Sequence, residues 1–282
     1  MHTTQISPSV VITTYNKPDV LEMVLLSLNL QTCKNFEVIV ADDGSTTETK
    51  QLITKISKKL NYPIKHIWQE DKGFRAAQIR NKGAAAAKGN YLIFLDGDCM
   101  VRKTFIERHI SLAEKKCMVV GKRIQLQNVL SKKVVQSKIM ISNWSLWSLL
   151  IEKSKGQLDK CIRSIYITNK LPFMNFFRKK FSSSTPSFNF AIWKNELLSV
   201  NGFDGEFTGW GREDDDLVYR LKDSGITTKS ALCAIQVFHL WHKQADTSLL
   251  SKNEQRLLDT IYHKNPTFAK NGINQYLDIK KC

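Results

Sequence analysis

The strongest constraint on this chain is an alternation in its first 121 residues, where short apolar runs take turns with amphipathic stretches and each run ends in a polar group. Ser9–Thr14 (SVVITT) has the apolar, β-branched content of a buried strand. It leads into Tyr15-Asn16-Lys17-Pro18, with proline at a helix start. Asp19 to Leu30 then places Val20, Val24, Leu25 and Leu28 at helical spacing. A second strand, Phe36–Ala41, delivers Asp42-Asp43-Gly44-Ser45, a polar turn that also suits a helix cap. Thr47–Leu60 is helical in pattern, and Ile64–Trp68 reads as a third strand. Phe74–Lys88 is an alanine-rich helix closed by Gly89, and Tyr91–Leu95 is a fourth strand ending in Asp96-Gly97-Asp98. This order predicts an α/β protein with a mostly parallel central sheet flanked by helices. Ligands of such sheets bind beyond the carboxyl ends of the strands. Thr13–Asn16, Asp42–Ser45 and Asp96–Asp98 all fall there, so three strand ends converge on one crevice.

Past residue 121 the composition changes. Residues 122–181 hold thirteen Lys or Arg against two Asp or Glu, which is most of the net charge of +16. Trp144, Trp147 and their apolar neighbours, then Phe173, Phe176 and Phe177, interleave with these cations. Aromatic rings among lysines suit the surface of an anionic membrane, although the two tryptophans read equally well as core. The expected organisation is a ligand-binding half at 1–121, a basic, aromatic-rich helical insert at 122–185, a second half of the site at 186–245 and a helical tail at 246–282. The six cysteines are scattered without metal or disulfide spacing. The segment Met1 to Val11 lacks a basic start followed by an apolar run. Both features favour free thiols and a cytoplasmic setting, at the inner face of a membrane if the basic segment binds lipid.

Two acidic groups carry the chemistry. In Asp96-Gly97-Asp98, two carboxylates one residue apart after a buried strand suit Mg2+ or Mn2+, the remaining oxygens coming from a diphosphate. An isolated motif of this kind is more often a solvated turn; the position at a strand end argues otherwise. Glu213-Asp214-Asp215-Asp216 opens a helical pattern after Gly209-Trp210-Gly211, where negative charge is favourable in any case. Among these acids, one base within about 3 Å of an attacking hydroxyl would serve a displacement. His239 and His242 follow the strand-like AIQVF, and a neutral imidazole there could complete a Mn2+ site beside Asp98. His239, at the strand end, is the first candidate and His242 the second.

Four ordered blocks, VVITTYNKPDVL, FEVIVADDGSTTET, DKGFRAAQIRNKGAAAAKGNYLIFLDGDC and GWGREDDDLVYRL, resemble the family 2 glycosyltransferases of GT-A (Rossmann-like) fold. The last block is similar to a segment of galactosyltransferases and bacterial polysaccharide synthases. The resemblance covers about residues 9–121 and 186–245. It implies that Thr13, Tyr15 and Asp43 hold a uridine, Tyr15 stacking on the base and Asp43 accepting a base N–H. Arg80 and Asn81 would lie near the nucleotide, Asp96 would contact the ribose or metal, and Asp98 would ligate the metal. It assigns the base to Asp214, acceptor hydroxyls to Glu213 and a sugar face to Trp210. The implied activity is inverting, metal-dependent transfer of a hexose or N-acetylhexosamine from a UDP-sugar to a glycan or lipid-linked glycan, as in lipopolysaccharide or capsule synthesis.

Other classes fit less well. A nucleotidyltransferase would carry a glycine-rich basic phosphate loop near the start, which TTYNKP is not. A non-catalytic nucleic-acid- or glycan-binding protein would explain the positive charge through counterion release, yet the crevice is lined by Asp and Glu. No nucleic-acid partner is expected.

Overall fold

The computed structural model describes residues 5–160, 167, 177–178, 188–243, 245–262 and 267–277. The strands are β1 (Pro8–Thr14), β2 (Glu37–Asp42), β3 (Ile64–Trp68), β4 (Tyr91–Asp96), β5 (Cys99–Val101), β6 (Cys117–Val120), β7 (Lys122–Gln125), β8 (Asn189–Trp193), β9 (Thr227–Ser230) and β10 (Gln236–His239). The α-helices are α1 (Pro18–Asn29), α2 (Thr47–Ser57), α3 (Ala76–Ala86), α4 (Phe105–Leu112), α5 (Asn128–Gln136), α6 (Leu146–Ser154), α7 (Lys194–Ser199), α8 (Glu213–Asp223) and α9 (Leu250–Tyr262). Seven strands form the main sheet in the order β3-β2-β1-β4-β8-β6-β9. β3, β2, β1 and β4 run parallel, β8 runs against both β4 and β6, and β9 is parallel to β6. The mostly parallel α/β expectation is met.

Side-chain parity divides the core. Val10, Ile12, Val38, Val40, Ile93 and Leu95 face α1 through Leu21, Val24, Leu25 and Leu28. Their neighbours Val11, Ile39, Ala41, Leu92 and Phe94 face the other way, onto α3 and α8. Both faces being covered explains why these strands read as continuous apolar runs. It also explains the alanine-rich helix: a Cβ on Gly83 would stand 2.7 Å from Val11 Cγ1 and 3.2 Å from Ala41 Cβ. α3 lies too close to the sheet there for larger residues.

A smaller sheet, β5-β10-β7, covers one side of the site. β10 runs antiparallel to β5 and parallel to β7. The first part of the basic segment packs on the same core as the amino-terminal strands, through Ile124, Leu130, Val134, Ile141, Leu149 and Leu158. Trp144 packs partly against that core, whereas Trp147 is 75% exposed on α6 beside Leu146 and Ile151. Phe173, Phe176 and the polar run Ser182–Pro186 lie outside the described residues, as do Cys161 and Cys282. Among the described residues no disulfide joins Cys33, Cys99, Cys117 and Cys233. No helix among the described residues is long and apolar enough to cross a membrane.

Candidate active site

Register brings the predicted groups together. Thr13 on β1 pairs with Ala41 on one side and with Asp96 on the other, and Thr14 pairs with Asp42. Gly97 lets its chain cross close over β1, its N–H donating to Thr13 O at 2.8 Å where a Cβ would collide with the same oxygen. At the next strand end, Asp42 is buried and accepts from the Ser45 N–H at 2.8 Å. Asp43 is also buried and accepts from Gln69 Nε2 at 2.5 Å and from the Arg75 N–H at 2.7 Å. Burial raises the Asp43 carboxyl above its ordinary range, against the pull of those donors. Gly44, at φ +100°, packs on the Asp71 backbone, where a Cβ would stand 2.6 Å away. Asp71 in turn accepts from the hydroxyl of half-exposed Tyr15 at 2.7 Å. Tyr15 is thus tied at its hydroxyl to Asp71 and keeps its ring half-exposed.

Arg80 of α3 is the hub. It is buried, and its Nη1 lies 3.0 Å from Glu213 Oε1 and 3.4 Å from Asp214 Oδ1. Its Nη2 lies 3.4 Å from Asp96 Oδ1, and its Nε donates to Thr13 Oγ1 at 3.3 Å. Burial opposes its charge, but Asp214, Glu213 and Asp96 together hold it more firmly protonated than an ordinary arginine. One guanidinium thus joins the strand-end carboxylate to the acidic run more than 100 residues later. Asn81 does not join it. Successive helical side chains point about 100° apart, and Asn81 turns inward, donating to Phe203 O at 2.7 Å and accepting from the Phe203 N–H at 2.9 Å. Its placement beside the nucleotide is corrected: Asn81 clamps the later segment to α3.

Asp98 has three cationic or ionisable neighbours. His242 Nε2 lies 3.1 Å from its Oδ2, His239 Nε2 3.5 Å from its Oδ1, and Lys17 Nζ 3.5 Å from its Oδ2. Burial pushes the Asp98 carboxyl up, and the His242 hydrogen bond, His239 and Lys17 overcome it, bringing the group down to about 2. Asp96 is pushed up to about 6 by burial and by the nearby Asp98 and Glu213 charges, Arg80 notwithstanding. Burial keeps His239 below its usual value, and the hydrogen bond to Asp98 raises His242. The antiparallel register His239↔Cys99 is what sets the imidazole against Asp98, and both histidines reach it.

The structure sorts the acidic run. Glu213 and Asp214 face Arg80; Asp215 pairs with Arg212 at 3.1 Å; Asp216 is buried against Arg220 at 2.7 Å and serves the fold. Glu213 Oε2 is buried with no hydrogen-bond partner. Three of the four residues from 209 to 212, Gly209 (φ +75°), Gly211 (φ +101°) and Arg212 (φ +76°), are left-handed. α9 holds them: Asn253 Nδ2 donates to Thr208 O and Gly211 O at 3.0 Å each, and Arg212 Nη2 reaches Glu254 at 2.7 Å. Trp210 is left half-exposed at the tip. Sequence reasoning missed Gln69, Lys17 and Asn253. Gln69 follows β3 and obeys the strand-end rule already applied to its neighbours; Lys17 and Asn253 carry no local signal.

Comparison with known proteins bears on the family and the fold. The family model for glycosyl transferase family 2 matches residues 9–183, and one described as the N-terminal domain of galactosyltransferase matches 172–243. The matches run through the basic segment that the four-block resemblance left out. The chain is 32% identical over 234 residues to a chondroitin synthase of Escherichia coli, covering 79% of this chain and 33% of that one. It is 30% identical over 279 residues to a validoxylamine A glucosyltransferase of Streptomyces hygroscopicus subsp. jinggangensis, covering 92% and 61%. The chain thus spans a third to three fifths of the length of these relatives. Among solved structures, GalNAc-T7 with UDP, GalNAc and Mn2+ superposes with TM-score 0.62 at 18% identity, covering 91% of this chain and 48% of that one. A mannosyltransferase of Pyrobaculum calidifontis with GDP-Man and Mn2+ gives 0.60 at 14%, covering 93% and 64%. Both likenesses concern the fold.

Proposed function

The chain belongs to glycosyl transferase family 2, and from that premise we propose that it moves a hexose or N-acetylhexosamine from a UDP-sugar to a glycan or lipid-linked glycan with inversion. The observation that carries this reading is the Arg80 hub, which places Asp96 of the first half and Glu213 and Asp214 of the second around one buried cation. Tyr15 offers its exposed ring to a base, and Asp43 accepts a base N–H with lone pairs not used by Gln69 and Arg75. Trp210 offers a sugar-sized apolar face, and Glu213, whose buried Oε2 lacks a protein partner, is the residue assigned to acceptor hydroxyls. Asp214 takes the proton of the acceptor hydroxyl while that oxygen bonds to the anomeric carbon and the bond to the leaving diphosphate breaks. Arg80 supplies the counter-charge that keeps three carboxylates, one buried and two partly buried, close together.

A divalent cation fits the residues present. Asp98 with His239 and His242 makes an oxygen and imidazole donor set, suited to Mn2+ more than to Mg2+, which favours oxygen alone. Those three residues would hold it, and when bound it would supply neutralisation of charge on the departing diphosphate. The chain's own Lys17, beside Asp98, adds positive charge on the same side.

The basic segment supports a peripheral seat on anionic lipid at the inner membrane face, where lipopolysaccharide or capsule precursors would be met. Leu146, Trp147 and Ile151 are exposed on α6, which carries Lys153 and is followed by Lys155, the pairing of rings with basic residues that suits an interface. Sedimentation with anionic liposomes at low salt tests it, and Trp147→Ala should weaken the association. The donor reading is tested by UDP release from a panel of UDP-sugars with Mn2+: release with at least one sugar, abolished in Asp98→Ala, is expected. Absence of release with every sugar would reject it.

A further inference from the structure

Beside the carboxylate assigned to the donor cation lies a thiol that the reaction does not use. Cys99 opens β5 and faces His239 across the antiparallel β5–β10 pair. Residues directly opposite in such a pair project side chains to the same face of the sheet. The Cys99 Sγ is 3.7 Å from Asp98 Oδ1, the His239 Nε2 is 3.5 Å from the same oxygen, and all three donor atoms lie within 4.8 Å of one another. All three residues are buried. Zinc bonds of about 2.0–2.1 Å to N or O and about 2.3 Å to S put the corners of a tetrahedron about 3.4 Å apart for N/O pairs and about 3.6 Å apart when one is sulfur. Two of the three edges already have those lengths, and the third needs closure of at most about 1 Å.

We propose that Asp98, Cys99 and His239 form a binding site for a thiophilic divalent cation such as Zn2+, with the fourth position open to His242. Binding exchanges the thiol proton, released to solvent, for a metal–sulfur bond. Sulfur and imidazole favour Zn2+ over Mn2+, and affinities for such donors rise in the same order. The consequence for activity is inhibition, because Asp98 and His239 are withdrawn from the donor; that consequence rests on the donor reading above, while the site itself does not.

Titration of the whole chain with Co2+ in the absence of nucleotide reads the site by absorption. An intense near-ultraviolet thiolate-to-cobalt charge-transfer band is expected, bleached by added Zn2+ and missing in both Cys99→Ala and Cys99→Ser. Two replacements guard against one of them failing to fold. Zinc affinity should fall at least about tenfold in either, since even outer partners of a metal commonly contribute that much. Mn2+-supported UDP release by Cys99→Ala should tolerate correspondingly more Zn2+. Cobalt binding without the band, a band that survives in Cys99→Ala, or unchanged zinc inhibition in that variant would overturn the proposal. A Cys99-dependent band in a protein that releases no UDP from any donor supports the site and rejects the donor reading instead.

Discussion

Replacing Arg80 by methionine keeps most of the side-chain volume and removes the one cation from a set of four charges, of which Arg80 and Glu213 are buried and Asp96 and Asp214 partly buried. In the wild type the guanidinium meets Glu213 at 3.0 Å and Asp214 and Asp96 at 3.4 Å each, and it is 4% exposed. Exposed ion pairs contribute ~0–1 kcal/mol; breaking a buried one by removing a single partner costs ~3–5 kcal/mol because the other charge stays behind uncompensated. Here three carboxylates stay behind, so Arg80→Met should lose ~3–5 kcal/mol of unfolding free energy, a large share of the ~5–15 kcal/mol typical of a domain. Equilibrium urea unfolding measures it. The paired variant Arg80→Met with Glu213→Gln removes one of the stranded charges and should recover part of the loss, a coupling of ~0.5–3 kcal/mol. If Arg80 served only as a nucleotide contact, the single replacement would cost under ~1 kcal/mol and weaken UDP binding alone. That result, or a double variant additive within ~0.5 kcal/mol, would refute the hub.

Three further outcomes rest on the packing of single residues. His109 is fully buried with its Nε2 3.0 Å from Asn189 Oδ1, and burial pulls it down to about 3; the unfolded chain therefore binds the extra proton between about pH 6.5 and 3, and stability should fall with pH through that window by up to ~1.4 kcal/mol per unit. His109→Gln should flatten that slope in urea titrations at stepped pH, and an unaltered slope would reject the assignment. Gly44→Ala would force a left-handed residue and a contact with the Asp71 backbone; a loss of ~1–3 kcal/mol with weaker UDP binding, measured by calorimetry, is expected through the shifted Tyr15 partner. Asn253→Ala removes both donors that hold the Gly209–Arg212 turn. It should cost ~1–3 kcal/mol and lower transfer to acceptor more than UDP binding, whereas equal losses would detach α9 from acceptor geometry.

The strand ends were legible because a parallel sheet buries its strands on both faces, leaving apolar runs that stop at polar residues. The groups Thr13–Asn16, Asp42–Ser45 and Asp96–Asp98 were found that way, and register then sets Thr13 beside Asp96 and Thr14 beside Asp42. The partners of the acidic run were not legible. Four adjacent acids on a helix start point in different directions, and only the positions of Arg80, Arg212 and Arg220 show which faces the site. Asn81 misled by adjacency to Arg80, since neighbours on a helix do not share a face. Cys99 looked like one more scattered thiol until the β5–β10 register set it opposite His239, a long-range pairing that carries no local pattern. In the basic segment, Trp144 and Trp147 look alike in sequence, yet Trp144, just before α6, packs partly on the core and Trp147, on α6, is exposed.

The central claim is a division of labour: the amino-terminal strand ends and Asp98 hold the donor, and Asp214 makes the new bond. The most direct test is Asp214→Asn, with UDP binding in Mn2+ followed by calorimetry and sugar transfer to acceptor followed by mass spectrometry on the same preparation. UDP affinity indistinguishable from wild type with transfer lost is expected; parallel loss of both, or transfer retained, would refute this division.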